Sequence, residues 1–149
     1  MLTYSSDLQS FFLDKITKFH LDFEIVHPFC DCNGRIGRAI INYQLQRLGF
    51  PAVIVRDREK KEYYHAFSDY RDDKKTKKME KFLVLGLLES LHKSIAYLKS
   101  ETIIPLADYT KNHKLSAPAL SNAARRQKIP AFREKGVWKI PEGFLVQSV

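Results

Sequence analysis

The sequence predicts a mainly α-helical chain ending in a small module that carries a β-hairpin. Three observations predict it. Apolar residues recur at helical spacing over residues 7–23, 33–48 and 79–99. Near the carboxy terminus two short apolar–polar alternations flank Gly136. Composition also changes character after Pro105, where basic residues begin to dominate.

Leu8, Phe11, Phe12, Ile16, Phe19 and Phe23 mark one face of a first helix over 7–23, with Ser6 and Gln9 as a capping box. Residues 33–48 form a second helix, stopped by Gly49 with Pro51 two positions on. Residues 56–73 give a loop and then a helix around Tyr63, Tyr64, Phe67 and Tyr70, a spacing typical of core aromatics. The charge run 74–81 suits a solvated helix start. From there Met79, Phe82, Leu83, Leu87, Leu91, Ile95 and Leu98 form a packing stripe to about Lys99. Residues 100–105 suit a hinge, with Pro105 ending any helical run.

Two further helices are expected beyond Pro105. One is short, over 106–113; the other is capped by Ser116 and runs through Gln127. Ala131-Phe132-Arg133 and Val137 to Ile140, joined by Glu134-Lys135-Gly136, read as a hairpin with Trp138 as its core anchor. The chain therefore divides into a domain at 1–101 and a module at 105–149.

A length of 149 residues, 44% of them hydrophobic, suffices for one ordinary domain and a small appendage. The formal charge is +8, and it is unevenly spread: residues 1–104 carry +3 and residues 105–149 carry +5. A polyanionic partner follows, either a nucleotide or a nucleic acid. Cys30 and Cys32 are too close to staple distant segments, and no second pair completes a zinc site. A reducing cytoplasm fits. The chain shows no signal-peptide pattern and no apolar run long enough for a membrane span, so a soluble cytoplasmic protein is expected.

The chemistry concentrates in His27-Pro28-Phe29-Cys30-Asp31-Cys32-Asn33-Gly34-Arg35, extended by Arg38. An imidazole, an acid, an amide, a glycine and two guanidinium groups fall within twelve residues, at a loop running into a helix. Helix starts offer unpaired N–H groups and the positive end of a dipole, which suits phosphate. Arg35 and Arg38, three apart, share one face of that first turn. Asp31 supplies a hard oxygen for a magnesium ion held against phosphate. Singly, each of these residues is more often an ordinary loop or surface residue; their joint spacing is what points to function.

These residues resemble the signature of the Fic family, H-P-F-x-acid-G-N-G-R-x-x-R. One position departs, Cys32 standing where the family has glycine. The resemblance implies a Fic-type helical core, present in part, and transfer of AMP from ATP to a Ser, Thr or Tyr hydroxyl of a target protein. It assigns His27 as base and Asp31 as the magnesium ligand. Asn33, Gly34 and Arg35 match the phosphate cradle, in which Cys32 takes the place of the glycine, and Arg38 matches the arginine that steadies the terminal phosphate. Phe29 would anchor the loop in the core. Glycine at 34 resembles the nucleotidyl-transferring branch, whereas the related Doc toxins carry lysine there and phosphorylate. A cysteine Cβ resists both close phosphate approach and positive φ, so weakened binding is expected.

The resemblance covers residues 7 to about 99, the later part of the usual domain, and implies a bacterial cytoplasmic setting. Fic proteins have helices and a target-binding β-hairpin ahead of the motif, yet 26 residues precede His27 here. A piece of a longer protein, or a chain lacking its target clamp, is expected; part of the first helix's apolar face would then be exposed, implying a partner or a second copy. The family's inhibitory S/T-x-x-x-E-G/N helix is not matched: Thr76 and Glu80 have the spacing, but Lys81 follows. The tail resembles an excisionase-like winged helix-turn-helix. That implies DNA as an alternative partner, with Ser121, Asn122, Arg125 and Arg126 at the major groove and Lys128, Arg133, Lys135 and Lys139 at phosphates. In that alternative the protein is a DNA-binding regulator with an inactive Fic remnant.

Overall fold

The computed structural model describes residues 7–56 and 59–145, with side chains described from Phe12 onward. Ser6 and the side chains of Leu8, Gln9 and Phe11, which carried the expected capping box and the start of the apolar face, lie outside the described residues. The fold is mainly helical: α1 (Asp7–Val26), α2 (Asn33–Arg47), α3 (Lys60–Asp73), α4 (Lys77–Leu98), β1 (Ile103–Pro105), α5 (Leu106–Asn112), α6 (Ala117–Arg125), β2 (Phe132–Glu134) and β3 (Val137–Pro141). Two compact units result, residues 1–86 and 87–149, so α4 contributes its two halves to different units.

In the first unit α1 packs on α2 and α3. The inward face of α1 is Ile16, Thr17, His20 and Leu21, a helical repeat of buried positions. Asn33, Gly37, Ile41 and Leu45 face inward along α2, each four residues apart. Tyr63, Ala66 and Tyr70 do the same on α3, and Met79 and Leu83 on the first half of α4. Gly49, at φ 81°, closes α2 as its position suggested. Asn42 then ties down the following segment, its side chain accepting from the Val53 N–H at 2.8 Å and donating to the Val53 carbonyl at 3.1 Å. At the far end of α1, Phe19, Ile25 and Val26 are exposed.

The expected stripe on α4 holds only in part. Leu83 and Leu87 are buried, but Ile95 is exposed and Leu98 is 85% exposed, while Ala96 is buried in their place. A strict four-residue repeat drifts around a helix of 3.6 residues per turn, so the buried stripe moves off the 87–91–95 row.

In the second unit the three strands form an antiparallel sheet in the order β1-β3-β2. Ile103 to Pro105, expected as a hinge, is instead an edge strand, pairing Ile104 with Ile140 and Ile103 with Pro141. Its partner lies far along the chain, so local periodicity could not reveal it. The hairpin is tighter than expected. Glu134 pairs with Val137, and Lys135 (φ 48°) and Gly136 (φ 83°) form a two-residue turn with both φ values positive, the hairpin geometry whose twist matches the strands. Helix α6 ends at Arg125 rather than Gln127. Gln127 adopts φ 51°, and its amide donates to the Ala124 and Ala131 carbonyls at 2.8 and 3.1 Å. Ser116 caps α6 as expected, accepting from the Ala119 N–H. The unit's core gathers Leu106, Tyr109, Leu120, Ala123, Ala124, Ile129 and Ile140, with Trp138 packed against it.

Candidate functional site

The site begins where α1 stops. The His27 N–H still reaches the Phe23 carbonyl at 3.0 Å, but His27 itself turns left-handed at φ 49° and Pro28 prevents the helix from resuming. The His27 side chain is consequently exposed at a helix end, outside the packed face of α1.

The loop to α2 is clamped by Asn33. Its buried side chain accepts from the Phe29 N–H at 3.0 Å and donates to the Phe29 carbonyl at 2.6 Å. The Phe29 ring, expected as the core anchor, is 48% exposed and lies 6.3 Å from the Phe23 ring. The backbone of Phe29 anchors the loop, and the amide of Asn33 does the anchoring, because only a two-ended polar group can satisfy both backbone atoms.

Cys32 is the N-cap residue of α2 and holds φ 69°, ψ 8°, the left-handed conformation that glycine adopts without penalty. The Arg35 and Ile36 amides donate to its carbonyl, at 2.9 and 3.0 Å. The amides of Asn33 and Gly34 lie in the opening turn, beyond the reach of any helix carbonyl. Both arginines fold back to this turn. Arg35 Nη2 donates to Cys32 Sγ and stands 3.9 Å from Asp31 Oδ2. Arg38 Nη1 lies 3.2 Å from where a Gly34 Cβ would be. Asp31 is exposed, accepts from the Cys32 N–H at 2.6 Å and takes the Cys32 thiol at 3.3 Å; those two hydrogen bonds pull its carboxyl below the ordinary range.

Beneath the turn lies a layer that the sequence reading did not single out. His20 is fully buried, its Nε2 2.5 Å from the Tyr63 hydroxyl. Burial, helped by the charge of Arg38, pushes this imidazole down to about 4, so it is neutral at physiological pH. Burial likewise raises Tyr63, which stays a neutral donor. Glu24 lies one helical turn along α1 from His20, its carboxyl raised by burial against the pull of His27 and Arg38. The legible signal was Gly37, a glycine on the inward face of α2 where a side chain would otherwise pack.

On the tail, α6 buries Leu120, Ala123 and Ala124 and leaves Asn122, Arg125 and Arg126 exposed, with Ser121 half-buried beside them. Lys128 and Lys135 are exposed as well. Arg133 stacks on Trp138 at 4.2 Å, and Lys139 pairs with Glu134 at 2.6 Å. Among the described residues no group of three or more His, Cys, Asp or Glu side chains could hold a metal ion by itself.

The Fic/DOC family model matches residues 1–45, which span α1, the loop and most of α2. Over these residues the chain is similar to part of a Fic domain. A protein adenylyltransferase Fic from Nematostella vectensis is 34% identical over 87 residues, 58% of this chain and 19% of that protein. Another, from Drosophila sechellia, is 29% identical over 120 residues, 78% of this chain and 24% of the relative. The aligned stretch is thus less than a quarter of the length of these Fic relatives. No solved structure matches.

Proposed function

We propose that this Fic segment takes part in AMP transfer from ATP to a Ser, Thr or Tyr hydroxyl of a target protein. The observation that carries the reading is the approach of Arg35 and Arg38 to the turn at 31–34, where α2 opens. Two cations and a helix start directed at one place suit a triphosphate. His27, exposed at the end of α1, is the base: it takes the proton of the attacking hydroxyl as that oxygen bonds the α-phosphorus and pyrophosphate leaves. Arg35 binds the phosphates next to the loop, and Arg38 steadies the terminal phosphate.

Asp31 is the residue that would hold Mg²⁺. Its donor set fits, because one exposed hard carboxylate leaves most of the coordination shell to phosphates and water, as magnesium prefers. Bound there, the ion would offset phosphate charge. Gly34 supports nucleotidyl transfer over phosphorylation, since no lysine is present at that position. Incubation with labelled ATP and Mg²⁺ tests the reading. Label should enter protein and be lost in His27→Ala; ATP bound with no label transferred would count against it.

A second reading, in which the tail binds DNA and the Fic segment is a scaffold, is favoured by one observation. Lys111, Lys114, Arg125, Arg126, Lys128 and Lys135 are exposed and make no ion pair among the described residues. Salt-sensitive DNA binding lost in Arg125→Ala/Arg126→Ala, alongside ATP binding without transfer, would favour this reading.

A further inference from the structure

We propose that a cavity in the second unit binds a small organic amine, its apolar body against Phe144 and its ammonium group at Glu101 and Glu142. The cavity has a volume of about 680 Å³, within the range that small-molecule sites occupy. Ile95 and Ala96 of α4, with Pro130 and Phe144, supply its apolar wall. The sheet brings the polar rim together. Ile103 of β1 pairs with Pro141 of β3, and the ladder continues one step further, the Glu142 N–H donating to the Thr102 carbonyl at 2.8 Å. Glu101 and Glu142, far apart along the chain, therefore meet at one end of the sheet. Phe144 is fixed beside them, because the Tyr109 hydroxyl donates to its carbonyl. A Cβ at Gly143 would meet nothing within 4 Å, so that stretch of the rim faces open space.

The ligand class follows from the sign of the groups that line the cavity. Residues 105–149 carry +5, yet two carboxylates gather here, and neither makes an ion pair among the described residues. Lys99 is the one lysine or arginine of the lining. His92 adds a further acceptor. The Gln127 amide nitrogen donates to the Ala124 and Ala131 carbonyls, so Gln127 Oε1 accepts from His92 Nδ1, at 2.8 Å. In the neutral ring Nε2 is then the acceptor. An ammonium group carries three donors and no acceptor, which suits two carboxylates and an imidazole nitrogen. The apolar wall takes a ring or a short alkyl chain, whereas an anionic head group would meet the wrong sign. The lining lies wholly within residues 87–149, so the cavity is independent of AMP transfer at the motif.

Phenethylamine is the probe, titrated into the full chain and followed by heteronuclear NMR. Saturable shifts of the Thr102, Gly143 and Phe144 amides and of the His92 ring are expected, with a Kd of about 1 mM for a ligand of this size. Phenethyl alcohol keeps the ring and removes the charge; it should bind about fivefold more weakly, and phenylpropionate more weakly still. Glu101→Gln/Glu142→Gln should bring the amine down to the affinity of the alcohol. Amine and alcohol binding equally well, or shifts that fail to saturate or fall elsewhere in the chain, overturn the proposal. So does a folded double variant that binds the amine as tightly as the unsubstituted chain. Should that variant fail to fold, the unsubstituted chain is titrated in high salt instead. Amine binding should weaken there while alcohol binding does not, and equal responses overturn the proposal.

Discussion

Cys32 holds a left-handed backbone with a Cβ attached, and that conformation costs an ordinary residue about 1 kcal/mol. Cys32→Gly should therefore raise stability by about that amount in urea unfolding. It should also tighten ATP binding if the side chain obstructs phosphate; unchanged affinity in calorimetry would show that it does not. Asn33 is the opposite case, a polar side chain doing structural service. Asn33→Ala removes both bonds to Phe29 and strands two backbone groups, with an expected loss of about 2 kcal/mol. His20 adds a pH dependence. Its native pKa is depressed to about 4 from 6.5, so its contribution is complete above pH 6.5 and is lost as pH falls through the window to 4. Denaturation midpoints should drop across that interval, and His20→Gln should flatten the slope there. The passage from loop to helix at Asn33 was readable from the sequence, whereas Asn33's clamp was not, because an asparagine looks the same whether it faces phosphate or its own loop.

At the scale of elements, Gly37 is what lets α1 and α2 meet over the His20–Glu24 layer. Gly37→Ala gains about 1 kcal/mol of helix propensity. It also forces a methyl to within 3 Å of two side chains, one of them a buried ring held by Tyr63. Overpacking of that kind typically costs about 1–3 kcal/mol, so a net loss of about 1 kcal/mol in thermal unfolding is expected. Helix positions were legible because apolar side chains repeat with the turn of the backbone. Strand β1 was not, because three residues carry no period and its pairing with β3 is a long-range contact. The hairpin's turn was misjudged by one residue for a related reason: Glu134 has a polar side chain, and only pairing with Val137 shows that it belongs to the strand.

For the whole molecule, charge is the property that reaches furthest beyond any single contact. Six exposed basic side chains of the tail have no acidic partner among the described residues, while Lys93 and Lys139 are both engaged by Glu134, whose carboxyl their hydrogen bonds and that of Tyr97 draw down to about 2. If the tail meets nucleic acid, log Kobs against log salt should be steep, and Arg125→Ala/Arg126→Ala should make the slope shallower by about 2. A slope that does not change would remove these two residues from the interface. The segmental charge was plain in the sequence; which cations were already paired required the fold.

The left-handed backbone at His27 ties the direction of the imidazole to the rotation of α1. Adding one residue within α1 would swing everything after the insertion by about 100°. The ring would then turn away from the buried row that Ile16 and Thr17 begin on α1. A single-residue insertion between Thr17 and His20 should thus split that row and lower the thermal unfolding midpoint, whereas seven residues, close to two full turns, should come near to restoring it.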